Sequence, residues 1–305
     1  TEPDLVYERY SPFGAATGQV ARSHRVAHIL EVNALLSEEG KNYRNQALGE
    51  ACAYLEEVAF RNAGMVVTVS AALRDAALSH GARAEAVLTV PNGVDTSAFF
   101  PNGPVTPVGK PGKTVIGFVG SLKPWHGIDR LVEAFKALAA DPGYHLLVVG
   151  DGPERKRLKI LAEGYPDRVT MTRNVSHDEV PALIRAMDIA VAPYPDIEDF
   201  YFSPLKILEY MACGSAVVAS AIGQVSELLE HGETGLLVPP DDDHGLVEAI
   251  RSLKADHELR NRLGANACAR ARADHDWTQR ARVILDHQAG LEMDTRETRE
   301  VARHG

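Results

Sequence analysis

The sequence predicts an α/β protein of two domains, each a parallel sheet covered by helices on both faces. Three observations predict it. Short apolar runs rich in β-branched residues alternate with amphipathic helical stretches along the chain, the pattern of strands buried on both faces and joined by crossover helices. At 305 residues the chain exceeds the roughly 250 at which single cores stop growing. Near the first third, Pro101 to Lys113 carries four prolines and three glycines with little hydrophobic periodicity, which marks a linker between residues 101 and 113.

In the first hundred residues the expected strands are Leu5 to Glu8, Ile29 to Val32, Val66 to Ser70 and Val87 to Val90, with helices between them and a long one around Ala47 to Asn62. Four strands make a thin sheet. Residues 114–275 are richer: strands are expected at Val115 to Val119, Leu146 to Val149, Val169 to Thr172, Ile189 to Ala192, Ala216 to Ala219 and Gly235 to Val238. That describes a six-stranded doubly wound domain. Helices follow near Glu258 to Asp274 and Trp277 to Gln288, and Glu292 to Gly305 reads as a polar, frayed tail.

Composition narrows the function. With 45% hydrophobic and 24% charged residues the chain is ordinary for a globular protein, and no apolar run approaches the roughly 20 residues of a membrane span. A net charge of −10 argues against clamping nucleic acid through its phosphates. Cys52, Cys213 and Cys268 are odd in number, far apart and without CxxC spacing, so they suggest buried thiols in a reducing compartment rather than disulfides or zinc. The opening Thr1-Glu-Pro-Asp has no initiator Met and no signal-peptide pattern, and reads as the interior of a longer protein.

In open parallel sheets ligands bind beyond the carboxyl ends of the strands, and three loops there are informative. Gly117-Phe-Val-Gly-Ser-Leu-Lys-Pro-Trp-His-Gly-Ile-Asp is a strand ending at Gly120, then a loop into a helix near Gly127; glycine permits close backbone approach and helix-start amides suit an anion. Lys123 and His126 add cationic donors there, although Gly120 and Trp125 also fit a plain turn and its packing. Val148-Val-Gly-Asp-Gly-Pro-Glu is a strand and tight turn in which Asp151 reads as a turn residue. Tyr201-Phe-Ser-Pro-Leu-Lys-Ile-Leu-Glu-Tyr-Met-Ala-Cys-Gly reads as a helix capped by Ser203 and ended by Gly214. Its first amides suit a diphosphate, with Lys206 supplying a full charge. Lys206 and Glu209 lie on neighbouring positions of one helical face; they suit either a solvated ion pair or, since apolar residues surround Glu209, a carboxylate that needs a partner.

The ordered set Pro91-Asn-Gly-Val-Asp, Phe118-Val-Gly-Ser-Leu, Val149-Gly-Asp-Gly-Pro, Ala190-Val-Ala-Pro-Tyr, Leu208-Glu-Tyr-Met-Ala-Cys-Gly and Gly235-Leu-Leu-Val-Pro-Pro resembles the retaining family-4 glycosyltransferases of GT-B fold, over about residues 3 to 288. The resemblance implies two Rossmann-like domains, the N-terminal one incomplete: residues 1–100 form the partial acceptor-side domain, 114–275 the nucleotide-sugar domain, 276–290 a helix crossing back to the first domain, and 291–305 the tail. It implies a nucleotide-sugar donor such as a UDP- or GDP-sugar, no cofactor and no metal. Position by position, it puts the diphosphate near Gly120, Ser121, His126 and the start of the Ser203-Pro204-Leu205 turn. The base falls at the backbone of Asn174 and Val175, and the ribose hydroxyls on Glu209, whose carboxylate can accept both.

Two departures stand out. Many members carry Arg and Lys in the first phosphate loop where this chain has Ser121 and His126, which leaves Lys123 and Lys206 as substitutes. Many also carry a Glu eight residues before the ribose Glu, where this chain has Tyr201; Asp196, Glu198 and Asp199 are acidic candidates nearby. In the first domain Glu31 and Asn33 would face the acceptor cleft, at a position where many relatives have His, and the family's opening strand and glycine-rich loop would lie before Thr1. Trp277 reads as a packing anchor.

The expected reaction is transfer of a sugar to an acceptor hydroxyl with retention, with Lys206, Lys123 and Asn33 as the catalytic candidates and no covalent nucleophile. Acceptors implied by the resemblance are glycans, lipid-linked glycans or small molecules. A cytoplasmic setting follows, with peripheral attachment at the inner membrane face left open, although no basic amphipathic helix argues for it. The alternatives are a GT-B sugar-nucleotide epimerase, which shares architecture and donor, and an inactive truncated binder of nucleotide sugars.

Overall fold

The computed structural model describes residues 3–11, 13–37, 49–197 and 200–304, with side chains described as far as residue 291. The chain divides into two compact units: Thr1–Asn92, Tyr201–Ser203 and Thr278–Gly305 form the first, and Gly93–Phe200 with Pro204–Trp277 the second.

In the first unit, β1 (Leu5–Arg9), β2 (Ala27–Val32), β3 (Met65–Thr68) and β4 (Val87–Thr89) pair in that spatial order, all parallel. Helices α1 (Thr17–His24), α2 (Gly49–Asn62) and α3 (Ala71–Ser79) connect them. All of Met65-Val-Val-Thr is buried, as a strand with helices on both faces must be. Alternate side chains feed two cores: Leu30, Val32 and Val66 meet Tyr10, Phe60 and Leu73 on one face, while Ile29, Met65 and Val67 meet Val90 and Ile284 on the other. Ile284 belongs to α11 (Trp277–His304), whose backbone stays helical through the stretch expected to be a frayed tail. Ser70, expected to end the third strand, instead caps α3 by accepting from the Leu73 amide.

The second unit carries a six-stranded parallel sheet. It comprises β5 (Thr114–Val119), β6 (Tyr144–Val149), β7 (Val169–Met171), β8 (Ile189–Ala192), β9 (Ala216–Ser220) and β10 (Leu236–Val238), in the order β10-β9-β8-β5-β6-β7. Helices α4 (Ile128–Leu138), α5 (Arg155–Gly164), α6 (Val180–Ile184), α7 (Leu205–Ala212), α8 (Val225–Leu228), α9 (Asp243–Ala255) and α10 (His257–Asp274) cover it. The chain winds outward from β5 to β7, then returns to β8 and winds the other way. The reversal lies between β5 and β8, the topological switch point at which such sheets open a crevice. These two strands pair only at Ile116↔Ile189 and Gly117↔Ala190. Beyond that the Val119 amide donates to Tyr210 Oη at 2.7 Å, so a helix side chain stands where a strand partner would.

The division of the chain falls at Asn92/Gly93, not within 101–113. The proline-rich stretch is tied to the second unit: Arg185 Nη1 donates to the Phe100 carbonyl and Nε to that of Pro104, and the Thr106 amide donates to Ala182. Among the described residues no helix is long and apolar enough to cross a membrane.

Candidate functional site

The loops leaving β5 and β6 are fastened by backbone contact. The Gly120 amide donates to Val149 O at 3.0 Å, the Leu122 amide to Asp151 O at 2.9 Å, and the Glu154 amide to Leu122 O at 3.0 Å. A Cβ on Gly150 would lie 2.1 Å from Gly120 O, so this crossing requires glycine, and both residues sit at positive φ. The β5 loop then makes a single 3₁₀ turn, Pro124–His126, and closes at Gly127, where φ is +69° and a Cβ would stand 1.8 Å from Pro193 O. The loops after β5 and β8 therefore touch at the switch point. Asp151 is a turn residue, as the sequence suggests: Oδ1 accepts from the Gly152 amide at 2.8 Å and lies 3.8 Å from Arg155.

Lys206 projects from the first turn of α7 into this junction. Only 8% exposed, its Nζ sits 4.3 Å from the Phe118 ring centre and 5.2 Å from that of Tyr194, and 3.0 Å from where a Cβ of Gly120 would be. Among the described residues it has no hydrogen-bond partner. Burial pulls its pKa down to about 7, opposed by the carboxylate of Glu209. Burial raises the pKa of Glu209 in turn, with His177 and Lys206 acting against it. The solvated ion pair is thus ruled out by burial; what stands here is an enclosed cation facing a glycine loop with its carboxylate neighbour one turn along.

His126 does not act as a cation in this arrangement. Its Nδ1 contacts the Ser121 carbonyl, which can only accept, so Nδ1 carries the proton. Burial, then Lys206 and Lys123, hold its pKa down to about 3 against that hydrogen bond. Lys123 is half-buried, with Nζ 5.6 Å from the Trp125 ring centre. Ser121 is exposed.

The β7 loop is pinned to the same frame by Thr172, whose amide donates to Val148 O and whose Oγ1 accepts from the Gly150 amide at 3.1 Å. Asn174 on it is exposed and Val175 half-buried. Sequence reasoning passed over His177, which lies next in this segment and acts on Glu209. It also assigned no role to Tyr194 or Arg130. Buried Arg130 donates from Nη1 to Tyr194 O at 3.0 Å and from Nε to Asp243 at 2.8 Å, fixing the ring that flanks Lys206. These contacts bridge residues far apart in sequence and leave no local signal.

Ser203 does not cap α7. The N-cap of α7 is Pro204, with no side-chain cap, and Ser203 Oγ instead accepts from the Asn92 amide at 3.2 Å, within the first unit. Pro204 and the exposed Leu205 stay with the second. Asn33, in the first unit, donates from Nδ2 to Glu31 Oε1, while Tyr7 donates to Glu31 Oε2 at 2.7 Å. Tyr201 packs against the first unit's core. Asp196 is exposed, and Glu198 and Asp199 lie outside the described residues.

Residues 107–270 match the family profile described as glycosyl transferases group 1, and residues 1–93 that of a glycosyl transferase 4-like domain. The exopolysaccharide phosphotransferase SCO2592 of Streptomyces coelicolor is 35% identical over 193 residues, covering 62% of this chain and 19% of that protein. The lipopolysaccharide core biosynthesis mannosyltransferase LpsB of Rhizobium meliloti is 32% identical over 230 residues, covering 69% of this chain and 64% of that one. Against two further curated relatives the chain spans 40% and 37% of their length, so it covers less than two thirds of each of these four. The crystal structure of Anabaena HepE in complex with UDP shares the fold, with a TM-score of 0.73 at 24% identity over 94% of this chain and 79% of that one. With its first match spanning more than half of its residues, the chain belongs to the glycosyl transferases group 1 family.

Proposed function

We propose that the chain is the working part of a glycosyltransferase that moves a sugar from a nucleotide-diphosphate donor to an acceptor hydroxyl, with retention at the anomeric carbon and without a metal ion. The observation that carries this reading is the enclosed ammonium of Lys206 beside Gly120, a charge for which the described residues supply no hydrogen-bonded acceptor and a diphosphate would. Solved relatives support the donor class: HepE is described in complex with UDP-glucose and with UDP and glucose.

In this reading the bond from the anomeric carbon to the diphosphate oxygen breaks, and negative charge builds on the departing diphosphate. Lys206 and the amides of the first turn of α7 meet that charge, which lowers the barrier because the donors are fixed before reaction. Lys123 adds a second charge at the loop. Glu209 accepts the ribose hydroxyls, and the backbone at Asn174 and Val175 meets the base. On the first unit, Asn33 orients the acceptor. The buried thiols Cys52, Cys213 and Cys268 suit a reducing, cytoplasmic setting.

Calorimetric titration with UDP and with GDP tests binding, and incubation with UDP- and GDP-sugars tests turnover. Release of free nucleotide diphosphate with an α-configured product from an α-linked donor, unchanged by EDTA, is the expected result. A nucleotide sugar recovered with its sugar isomerised would replace the reading with an epimerase, and failure to bind either nucleotide would end it.

A further inference from the structure

Lys206 and His126 share one enclosure, and among the described residues no acid balances both. Lys206 Nζ faces the rings of Phe118 and Tyr194 and has no hydrogen-bond partner among the described residues. His126, whose ring lies 6.1 Å from that of Tyr194 and 6.3 Å from that of Phe118, already uses Nδ1 on the Ser121 carbonyl, so a second proton must go to Nε2. Among the described residues, charged groups bear on the pair from the β5, β6 and β7 loops and from α7. Lys123 on the β5 loop acts on His126 with the same sign as Lys206. From α7, Glu209 acts on Lys206 but is itself disfavoured as an anion by burial and shared with His177. From the β6 loop, Asp151 is engaged by the Gly152 amide and lies toward Arg155. Tyr194, with its phenol pKa raised by burial, brings no charge.

We propose that a nucleoside diphosphate enters this site together with a proton, taken up chiefly by Lys206 and, in more acidic solution, also by His126. This rests on the donor-binding reading above and adds the protonation state in which the site binds. A buried, partnerless lysine gives up its proton readily, and here its pKa stands at about 7 in the empty site. One anionic charge at about 4 Å, at an effective dielectric of about 20, moves such an equilibrium by about three pH units. That returns Lys206 to the ordinary lysine range and raises His126 from about 3 in the empty site. The sign follows from linkage: above pH 7 the empty site is mostly neutral at Lys206 and the filled site is charged, so binding consumes a proton and weakens as pH rises.

The test is calorimetric titration of UDP and GDP into the full chain at pH 8.0, in Pipes and in Tris at equal ionic strength, with affinity followed from pH 7.5 to 9. At this pH the free diphosphate is fully ionised, its last proton leaving near pH 6, so any uptake belongs to the protein. Expected are binding heats that differ between the buffers by the equivalent of about one proton, and a dissociation constant that rises about tenfold per pH unit. Lys206→Arg, whose guanidinium stays charged, should bind with little buffer dependence and a flat profile. Equal heats in the two buffers with a flat parent profile overturn the proposal while leaving donor binding intact. Full proton uptake retained in Lys206→Arg overturns the assignment to Lys206. No binding of UDP or GDP at any pH overturns the donor-binding reading, and this inference with it.

Discussion

Replacing Lys206 with methionine is expected to make the protein more stable and its phosphate site weaker at once. Methionine keeps the apolar stem and removes the charge. The ammonium's pKa is held down to about 7 in place of 10.5, so below pH 7 the folded chain carries the charge at a cost of about 3.5 pH units, or about 5 kcal/mol at 1.36 kcal/mol per unit. The rings of Phe118 and Tyr194 return about 0.5–1 kcal/mol each, which leaves roughly 3 kcal/mol for methionine to recover. For a unit of this size that is a rise in Tm of about 6–12 °C at pH 7. The pH dependence has a definite sign. Above pH 7 the unfolded parent binds more protons at this lysine than the folded parent, so the parent gains stability as pH rises from 7 toward 10.5; at pH 9 about 1.5 pH units of the cost, or about 2 kcal/mol, remain, so the variant's advantage shrinks by pH 9 and vanishes toward pH 10.5. Thermal melts of both chains at pH 6, 7 and 9, with UDP titration alongside, measure it. A variant that melts at or below the parent at pH 6, or an advantage indifferent to pH, would refute the account of Lys206 as a charge held for a ligand at the expense of stability.

Gly127→Ala combines a left-handed conformation, costing about 1–2 kcal/mol, with a methyl group 1.8 Å from the Pro193 carbonyl oxygen. It should lower Tm by roughly 5–10 °C, while Gly164→Ala, whose Cβ meets nothing within 4 Å, should leave it unchanged or higher. Arg130→Met removes donors to Asp243, Tyr194 O and Ser220; a loss of about 2–3 kcal/mol in denaturant unfolding and weaker UDP binding are expected, the latter because Tyr194 is released. Glu209→Gln should erase discrimination between UDP and 2′-deoxy-UDP. The parent is expected to favour the ribose by roughly 10-fold or more, as hydrogen bonds to a charged acceptor allow, and an unchanged ratio in calorimetry would separate Glu209 from the ribose.

Most of the fold was legible because parallel strands are buried on both faces and so appear as unbroken apolar runs. Met65-Val-Val-Thr and Ile189-Ala-Val-Ala announce themselves with no help from their neighbours. Boundaries erred where a polar residue changed employer: Ser70 reads as a strand end and serves as a helix cap. The site was legible only in its local parts. Gly120, Gly127 and Gly214 mark turns that need positive φ, and Lys206 and Glu209 share a helix face. What spacing could not supply were partners from elsewhere in the chain. Ser203 satisfies every local rule for a cap, yet its hydroxyl accepts from Asn92, 111 residues away. The Pro101 to Lys113 stretch has linker chemistry, but Arg185 captures the carbonyl of Pro104 within it and that of Phe100 just before it. The neutrality of His126 comes first from burial and then from two lysines, one of them 80 positions further on.

The departures at Ser121 and His126 and the presence of Lys206 are best understood as one feature. The backbones of the β5 and β6 loops approach so closely that a Cβ at Gly150 would collide with Gly120 O, and one at Gly152 would lie 2.7 Å from both Leu122 N and Leu122 O. A cation for that junction has to come from the loop's own side chains or from an element facing it. Here Ser121 is exposed and uncharged and the His126 imidazole is bound to a carbonyl, so the loop's own cation is Lys123, whose Nζ lies over the Trp125 ring. Helix α7 faces the same glycine and delivers Lys206 over the Phe118 ring. Placing the charge on a helix gives it a fixed origin but encloses it, and enclosure makes it titratable near neutral pH, which an arginine on the loop would never be. A site that borrows its cation from a buried helix face is therefore a site whose charge depends on what occupies it.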